Sequence, residues 1–492
     1  MLKLFKNISV YTIGGILNKS LQFLLLPLYT HILVPADYGK LELVYMVGAV
    51  LAIVYGFMIE SGYSRIYFDK DDRDFRRLLF STGQVFNLMC SISIAVISFF
   101  YAAVIAKWLF GSKEVLNLQE GILLVRLISV STLLKVMTHI PYNNLRVREK
   151  PRQFVSVNVI VLLINVAFTV FFVAFLRTGV KGVLMAQVIG GTIELTLLYI
   201  ITRKEIKIGF SYSQMMSMLK FSVFLILPTI SSFILHLSNR YFLKDYQSLN
   251  EVGLYSLGYK ISSIIPILMT EPVKLAFGPY LYSFINDPVQ AKRLLRNFTR
   301  YFLAMVLTFA FMLAVFSREL IMIMSAKSYY ESYSIVFILS LSYVFLGMCG
   351  IIVYGIQITK QTWLVSVIWP ITALCNIGLN LWLIPTYGKY GASTATMISF
   401  LLILIAYFIA VHKVYRVDYQ YHKFIYLLAI AAIFFFSSTY ITFGVIASIG
   451  AKIVVLLLYV VAVYFSGYFE KNELAAARTF AGKLLTRIHV KS

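Results

Sequence analysis

Charge is what this sequence has least of. Only 13% of its 492 residues are Asp, Glu, Lys or Arg, against roughly 25% in an ordinary soluble globular chain. Extended polar stretches are missing too, which leaves no room for a separate water-soluble domain. Cysteine is scarce: Cys90, Cys349 and Cys375 are the three present. All fall inside apolar segments and none has the spacing of a metal or redox motif, so they read as packing residues. There is no zinc-type histidine motif, no phosphate-binding glycine loop and no nucleophile elbow. No cofactor or metal is therefore expected. Acidic residues number 21 against 44 Lys and Arg, but this excess lies mainly in short connections, which argues against nucleic acid as a partner.

What the chain has in abundance is apolar sequence, at 60%. Runs long enough to cross about 30 Å of hydrocarbon recur from end to end. They are too long and too uniformly apolar for barrel strands, so helices are expected. Fourteen spans are read, at about 8–33, 40–64, 79–104, 118–141, 153–176, 181–202, 218–243, 252–277, 298–323, 331–356, 362–384, 390–411, 423–443 and 445–467. The first follows Lys3 and Lys6 and is longer than the apolar core of a cleavable leader, so it is expected to be retained.

Basic residues then orient the chain. Arg73, Arg76 and Arg77, the group Arg146, Arg148, Lys150 and Arg152, and the group Lys292, Arg293, Arg296 and Arg300 share one side with the N-terminus. The positive-inside rule makes that side cytoplasmic and places both termini there. The opposite loops are all short, which argues against a membrane-embedded polymerase with an external active site.

The sequence also resembles itself at an offset of about 210 residues. Asp37, Tyr38 and Gly39 correspond to Glu251, Val252 and Gly253; Lys150 to Lys360; and Asn165, Gly179 and Gly182 to Asn376, Gly388 and Gly391. Six spans per repeat is an even number, so the halves share one orientation about an axis along the membrane normal. The expected organisation is a six-helix lobe over 1–208, a second over 209–415, two additional spans over 416–468 and a basic amphipathic tail over 469–492. In that tail Leu474, Ala477, Ala481, Leu484, Leu485 and Ile488 form an apolar stripe beside Arg478, Lys483 and Arg487. A second interfacial segment is expected near Phe210 to Leu219.

The chemistry lies in cations within the spans. A charge at mid-bilayer costs about 2.5–3.5 kcal/mol on the insertion scale and marks a functional position by default. Lys19 sits deep in span one with Asn18 and Gln22 nearby, Arg126 and Lys135 in span four, Arg240 in span seven and Lys260 in span eight. Ser232, His236 and Arg240 share one helical face, and His139 continues the Lys135 face. Arg240, Lys274 and Lys452 lie near helix ends, where snorkelling is the simpler account. Seven cations with few acidic neighbours imply a water-filled cavity for an anion. Glu60 and Glu271 are expected to pair with Arg65 and Lys274. Pro27, Pro228, Pro266 and Pro272 remove helix hydrogen bonds and permit bends.

The N-terminal third also carries a recognisable pattern. Tyr11 to Asn18 (YTIGGILN), Leu26 to Thr30 (LPLYT), Ala36 to Gly39 (ADYG) and Glu60 to Arg65 (ESGYSR) resemble the polysaccharide-transporter, or O-antigen flippase, family of the multidrug/oligosaccharidyl-lipid/polysaccharide exporter superfamily. The resemblance implies two helical bundles set as a V around a cationic cavity lined by spans one, two, seven and eight. By span, Lys19, Arg240 and Lys260 are the matching substrate residues, with Arg126 and Lys135 further along. It implies a flippase, not an enzyme, that carries polyprenyl-diphosphate-linked oligosaccharide across the inner membrane. The coupling is to a cation or to the membrane potential, beside glycosyltransferases and a polymerase. Spans thirteen and fourteen are expected to border a groove for the lipid tail. A drug exporter of the same superfamily is the alternative, and it would place acidic residues in the cavity.

Overall fold

The computed structural model describes residues 23, 25–111, 118–439 and 445–469. The chain is an all-helical polytopic membrane protein, and among the described residues there is no strand. A short helix α1 (Leu26–Ile32) leads into α2 (Pro35–Gly56) and α3 (Ile59–Ile66). Then come α4 (Arg73–Phe100), α5 (Ala102–Phe110), α6 (Leu118–Val147), α7 (Pro151–Thr169) and α8 (Gly179–Thr202). The second half holds α9 (Tyr212–Tyr246), α10 (Leu249–Ser262), α11 (Glu271–Tyr282), α12 (Pro288–Val315) and α13 (Ser317–Met324). It ends with α14 (Val336–Ile358), α15 (Trp363–Val414), α16 (Tyr421–Thr439) and α17 (Val445–Phe465).

Among the described residues twelve helical segments are long and apolar enough to cross a membrane. One, α15, is two spans in sequence: Gly388, with φ 51 and ψ −129, breaks it where the expected spans eleven and twelve part. Thirteen of the fourteen expected spans thus have a helix among the described residues. Most of span one, including Lys19, lies outside them, as does the tail from residue 470.

Local chemistry sets several helix ends. Pro35, Pro151 and Pro288 occupy first-turn positions, where a missing N–H costs nothing. Asp72 caps α4 by accepting from the backbone N–H of Asp74 and Phe75, and Ser248 caps α10 by accepting from Glu251 N–H at 3.3 Å. The Phe210 to Leu219 segment leads into span seven as expected: from Tyr212 onward it is the first part of α9, capped by Ser211. Pro266 does bend its span, through a π-helical turn over Pro266–Thr270. Of the cysteines, Cys349 is buried as expected, whereas Cys375 is exposed.

Span two departs from a single rod. Phe57 and Met58 both adopt left-handed φ (45° and 56°) and separate α2 from α3, a conformation that costs non-glycine residues of order 1–3 kcal/mol each. A residue on α9 stabilises the break: Ser222 Oγ donates to Met58 O at 2.8 Å and accepts from Gly62 N–H at 3.2 Å.

α2, α4, α6, α7 and α8 pack on one another, as do α9, α10, α12, α14 and α15. The two groups meet along one seam, α2 on α10 at one end and α3 on α9 at the other. At the first end the helices touch backbone to backbone. A Cβ on Gly39 would overlap Leu249 O, and one on Gly253 would overlap Pro35 O. These are the two glycines equated by the internal repeat, and each opens the way for the other's helix. Tyr329 OH closes the same end by donating to Leu33 O at 2.9 Å. The terminal pair α16–α17 packs on α12 and is tied to α13 by Lys452, whose Nζ lies 2.7 Å from Glu319 Oε1. Ring stacks of Phe311 on Tyr459 and Phe337 on Phe435 complete this attachment.

Gly253→Val, and independently Gly39→Val, should destabilise the seam by about 1–3 kcal/mol through forced separation of the helices. A thermal unfolding curve in detergent will show the fall, while Gly378→Val, at a glycine with no neighbour within 4 Å, should leave the midpoint nearly unchanged.

Candidate functional site

About one turn along α2 from Gly39, Glu42 projects across the seam. Apolar neighbours, Leu41, Leu43 and Val44, place it in fully buried surroundings, and it is 4% exposed. A lone carboxylate there would be costly, and two cations from the other group of helices meet it. Arg240 Nε donates to Glu42 Oε2 at 3.1 Å. Lys260 Nζ lies 2.7 Å from Glu42 Oε1. Arg240 is itself 2% exposed, and its Nη1 donates to His236 O one turn back at 2.9 Å. One carboxylate therefore serves two cations, and the cluster carries one positive charge more than its acid cancels.

Aromatic faces supply the remaining compensation. Arg240 lies 4.9 Å from the ring centre of Tyr259 and 6.0 Å from that of Tyr255. Lys260 lies 5.2 Å from Tyr38 and 5.9 Å from Tyr45. Cations over aromatic faces gain about 2 kcal/mol or more when desolvated. Tyr45 OH accepts from Gln187 Nε2 at 2.6 Å. His236 is a packing residue held by Tyr259 OH at 2.7 Å, as its burial favours.

Behind Arg240 runs a fully buried amide network. Asn239 Nδ2 donates to Thr396 Oγ1 at 2.6 Å and to Tyr255 OH at 2.9 Å. Asn380 Nδ2 donates to Asn239 Oδ1 at 2.8 Å and Asn376 Nδ2 to Ser399 Oγ at 2.9 Å. This network ties α9 to both parts of α15 and fixes the rotation of α9 that aims Arg240 at Glu42. Asn376 was legible through the repeat, but its partners were not.

The other cations named from the sequence stand in separate arrangements. Lys135 Nζ lies 3.0 Å from Glu194 Oε1, a buried carboxylate that also accepts from Tyr142 OH at 2.8 Å. The Arg126 guanidinium lies 4.2 Å over the Phe99 ring. Lys274 pairs with Glu271 at 3.4 Å as expected. Lys452, read as a snorkelling residue, is instead 5% exposed and paired with Glu319. Arg65 pairs with Asp69 at 2.6 Å rather than with Glu60, which has His139 beside it at 3.9 Å.

The inference that span cations lack acidic neighbours is thus corrected. Arg240, Lys260, Lys135, Lys274 and Lys452 all have carboxylates within 4.0 Å. The partners of most come from distant helices, which sequence proximity does not reveal. Glu42 was nonetheless visible as an acid inside an apolar run, the same signal that singled out the cations. Among the described residues no group of three His, Cys, Asp or Glu could hold a metal.

Comparison with known proteins follows the same lines. A family model described as "Polysaccharide biosynthesis protein" matches residues 29–334. An uncharacterized membrane protein of Haemophilus influenzae is 22% identical over 291 residues, 58% of this chain and 67% of that protein. Among solved structures, the lipid II flippase MurJ in an inward closed conformation superposes with a TM-score of 0.73 at 16% identity, covering 94% of this chain and 99% of that one. An inward-facing multidrug resistance MATE family transporter of the MOP superfamily gives 0.66 at 14% identity over 80% and 94%. The Vibrio cholerae MATE transporter VcmN in its bent form gives 0.53 at 14% over 84% and 96%. These likenesses establish the fold.

Glu42→Ala should cost about 3–5 kcal/mol, because it strands two buried cations. In the double variant Glu42→Ala, Lys260→Ala part of that loss should return, with a coupling of roughly 0.5–3 kcal/mol in a double-mutant cycle. Unfolding in detergent measures both, and strictly additive losses would show that the two residues do not share a charge.

Proposed function

Because this chain belongs to the polysaccharide biosynthesis protein family, we propose that it is a flippase moving polyprenyl-diphosphate-linked oligosaccharide from the cytoplasmic to the outer leaflet. The observation that supports this reading is the positive surplus at the seam, Arg240 and Lys260 on a single Glu42. Without substrate, Glu42 holds both cations and the halves stay together. A diphosphate arriving in the cavity offers two charges where Glu42 offers one, and it draws the cations from the carboxylate. Lys19, on span one, adds a third cation facing the same ligand.

In this mechanism the lobes 1–208 and 209–415 rock about the seam. The Gly39–Gly253 contact closes the outer end, and the α3–α9 contact closes the cytoplasmic end, in turn. The charge pattern of the connections sets both termini in the cytoplasm. Lys135, with its side chain 58% exposed midway along α6, faces the aqueous path, since a lipid-facing ammonium at that depth would be costly. Arg126 lies along the same helix. An inside-negative potential assists export of an anion by about 2.3 kcal/mol per charge per 100 mV; antiport of a cation is the other source of drive. Glycosyltransferases supply the lipid-linked glycan and a polymerase consumes it.

Transbilayer movement of a polyprenyl-diphosphate oligosaccharide in proteoliposomes tests this reading. Arg240→Gln, Lys260→Gln and Lys19→Ala should each lower the rate by about tenfold or more, with Lys19→Arg largely retaining it. Unchanged rates in all of them would remove the cationic site from the mechanism. Efflux of cationic drugs with no lipid movement by the native protein would favour an exporter instead.

A further inference from the structure

Beside the charged seam, on the flanks of the same two helices, lies an open apolar cavity of about 360 Å³. Met46 and Val50 of α2, Ile105 and Trp108 of α5, and Phe233 and Tyr241 of α9 form its walls. Met46 is one turn from Glu42, and Tyr241 follows Arg240 directly. Trp108 stacks on Tyr241 with ring centres 4.6 Å apart and planes 16° from parallel, so α5 reaches across from one group of helices to the other and roofs the cleft. Val50 and Trp108 are 40% and 54% exposed, so the cleft is open along that edge.

Charge is distributed unevenly around this apolar lining. Arg240 and Lys260 lie behind it on Glu42. At its rim stand Lys107, exposed next to Trp108, and Lys244, whose Nζ lies 5.1 Å over the Tyr241 ring and 3.2 Å from Asp245. Four cations thus surround the cleft with two carboxylates among them. A hydrocarbon chain fits the lining, and an anionic head attached to it meets positive charge behind the cleft and at the rim. A cationic amphiphile would meet repulsion at both places.

We propose that this cleft between α2, α5 and α9 seats the isoprenoid chain of the anionic carrier lipid. The inference rests on the flippase reading for the identity of the lipid, though not for the existence of the site. It moves the tail away from the last two spans, where the sequence resemblance places it. Those spans are held to α12, α13 and α14 by the Lys452–Glu319 pair and by ring stacks. In the cleft, head and tail are recognised by neighbouring faces of one helix pair, so movement of α2 against α9 acts on both together.

The test uses a polyprenyl diphosphate carrying a diazirine on its chain, added to the full-length protein in nanodiscs, with cross-links mapped by mass spectrometry. Labelling should fall on peptides containing Val50, Ile105 and Phe233. It should drop by about fivefold or more in Val47→Trp and in Ser238→Leu, which fill the cleft. Val461→Trp, on the exposed side of α17, should leave it unchanged. Thermal midpoints close to that of the native protein establish that the filled variants are folded. Labelling concentrated on residues 445–465 and indifferent to filling would overturn the proposal. So would equal labelling by an uncharged polyprenol of the same length, since the surrounding cations would then play no part. Cleft labelling in a protein that moves no lipid in proteoliposomes would count against the flippase reading while leaving this site in place.

Discussion

One carboxylate holding two cations across a helix seam is the interaction on which the remaining arrangement depends. Removing a charge from water into a protein interior costs several kcal/mol even after relaxation, and only good geometry offsets that cost. Glu42 meets the requirement by accepting from Arg240 and lying beside Lys260. It does so only while α2 stands against α9 and α10. The backbone contact of Gly39 and Gly253 allows that approach, and the asparagine network behind Arg240 holds α9 at the necessary rotation. Packing, hydrogen bonding and charge all specify one relative position of the two helix groups. The charge balance also makes that position conditional, because a better anion than Glu42 would dissolve it.

The break in span two belongs to the same design. A continuous helix from Pro35 to Ile66 would carry any tilt at one end to the other. Left-handed residues at Phe57 and Met58 interrupt it, and Ser222 from α9 bonds the break at Met58 and the first turn of α3 at Gly62. A joint rather than a continuous rod therefore lies between the α2–α10 end of the seam and the α3–α9 end.

Much of this could be read in the sequence, and what could not be has a common cause. Apolar runs fixed the helices, the basic connections marked one side of the membrane, and depth alone singled out Arg240 and Lys260. The repeat identified Gly39 with Gly253 and Asn165 with Asn376, although not that the two glycines meet. The partner of Arg240 lies 198 residues away, and no local rule predicts such a pairing. The supposed excess of unneutralised cations followed from looking for acids on the same helix. Lys452 seemed a snorkelling residue for the same reason, until Glu319 appeared beside it. Phe57 and Met58 carry no sequence signal for a break, since neither is a residue that favours left-handed backbone; contacts from α9 impose it. Lys19 lies outside the described residues, so its part in the cavity stays with the sequence argument.

The tie between Lys452 and Glu319 carries a consequence for how the molecule is framed. Along with the ring stacks it anchors the last two spans to α12, α13 and α14. Seen as a linkage of bodies, α16 and α17 are then passengers of one arm rather than a bridge between two. Any rotation of that arm sweeps them through the surrounding lipid, and the wedge of bilayer they displace must reorganise at every stroke. The thickness and fluidity of the host membrane thereby become mechanical loads on the cycle, felt on one side of the protein and not on the other.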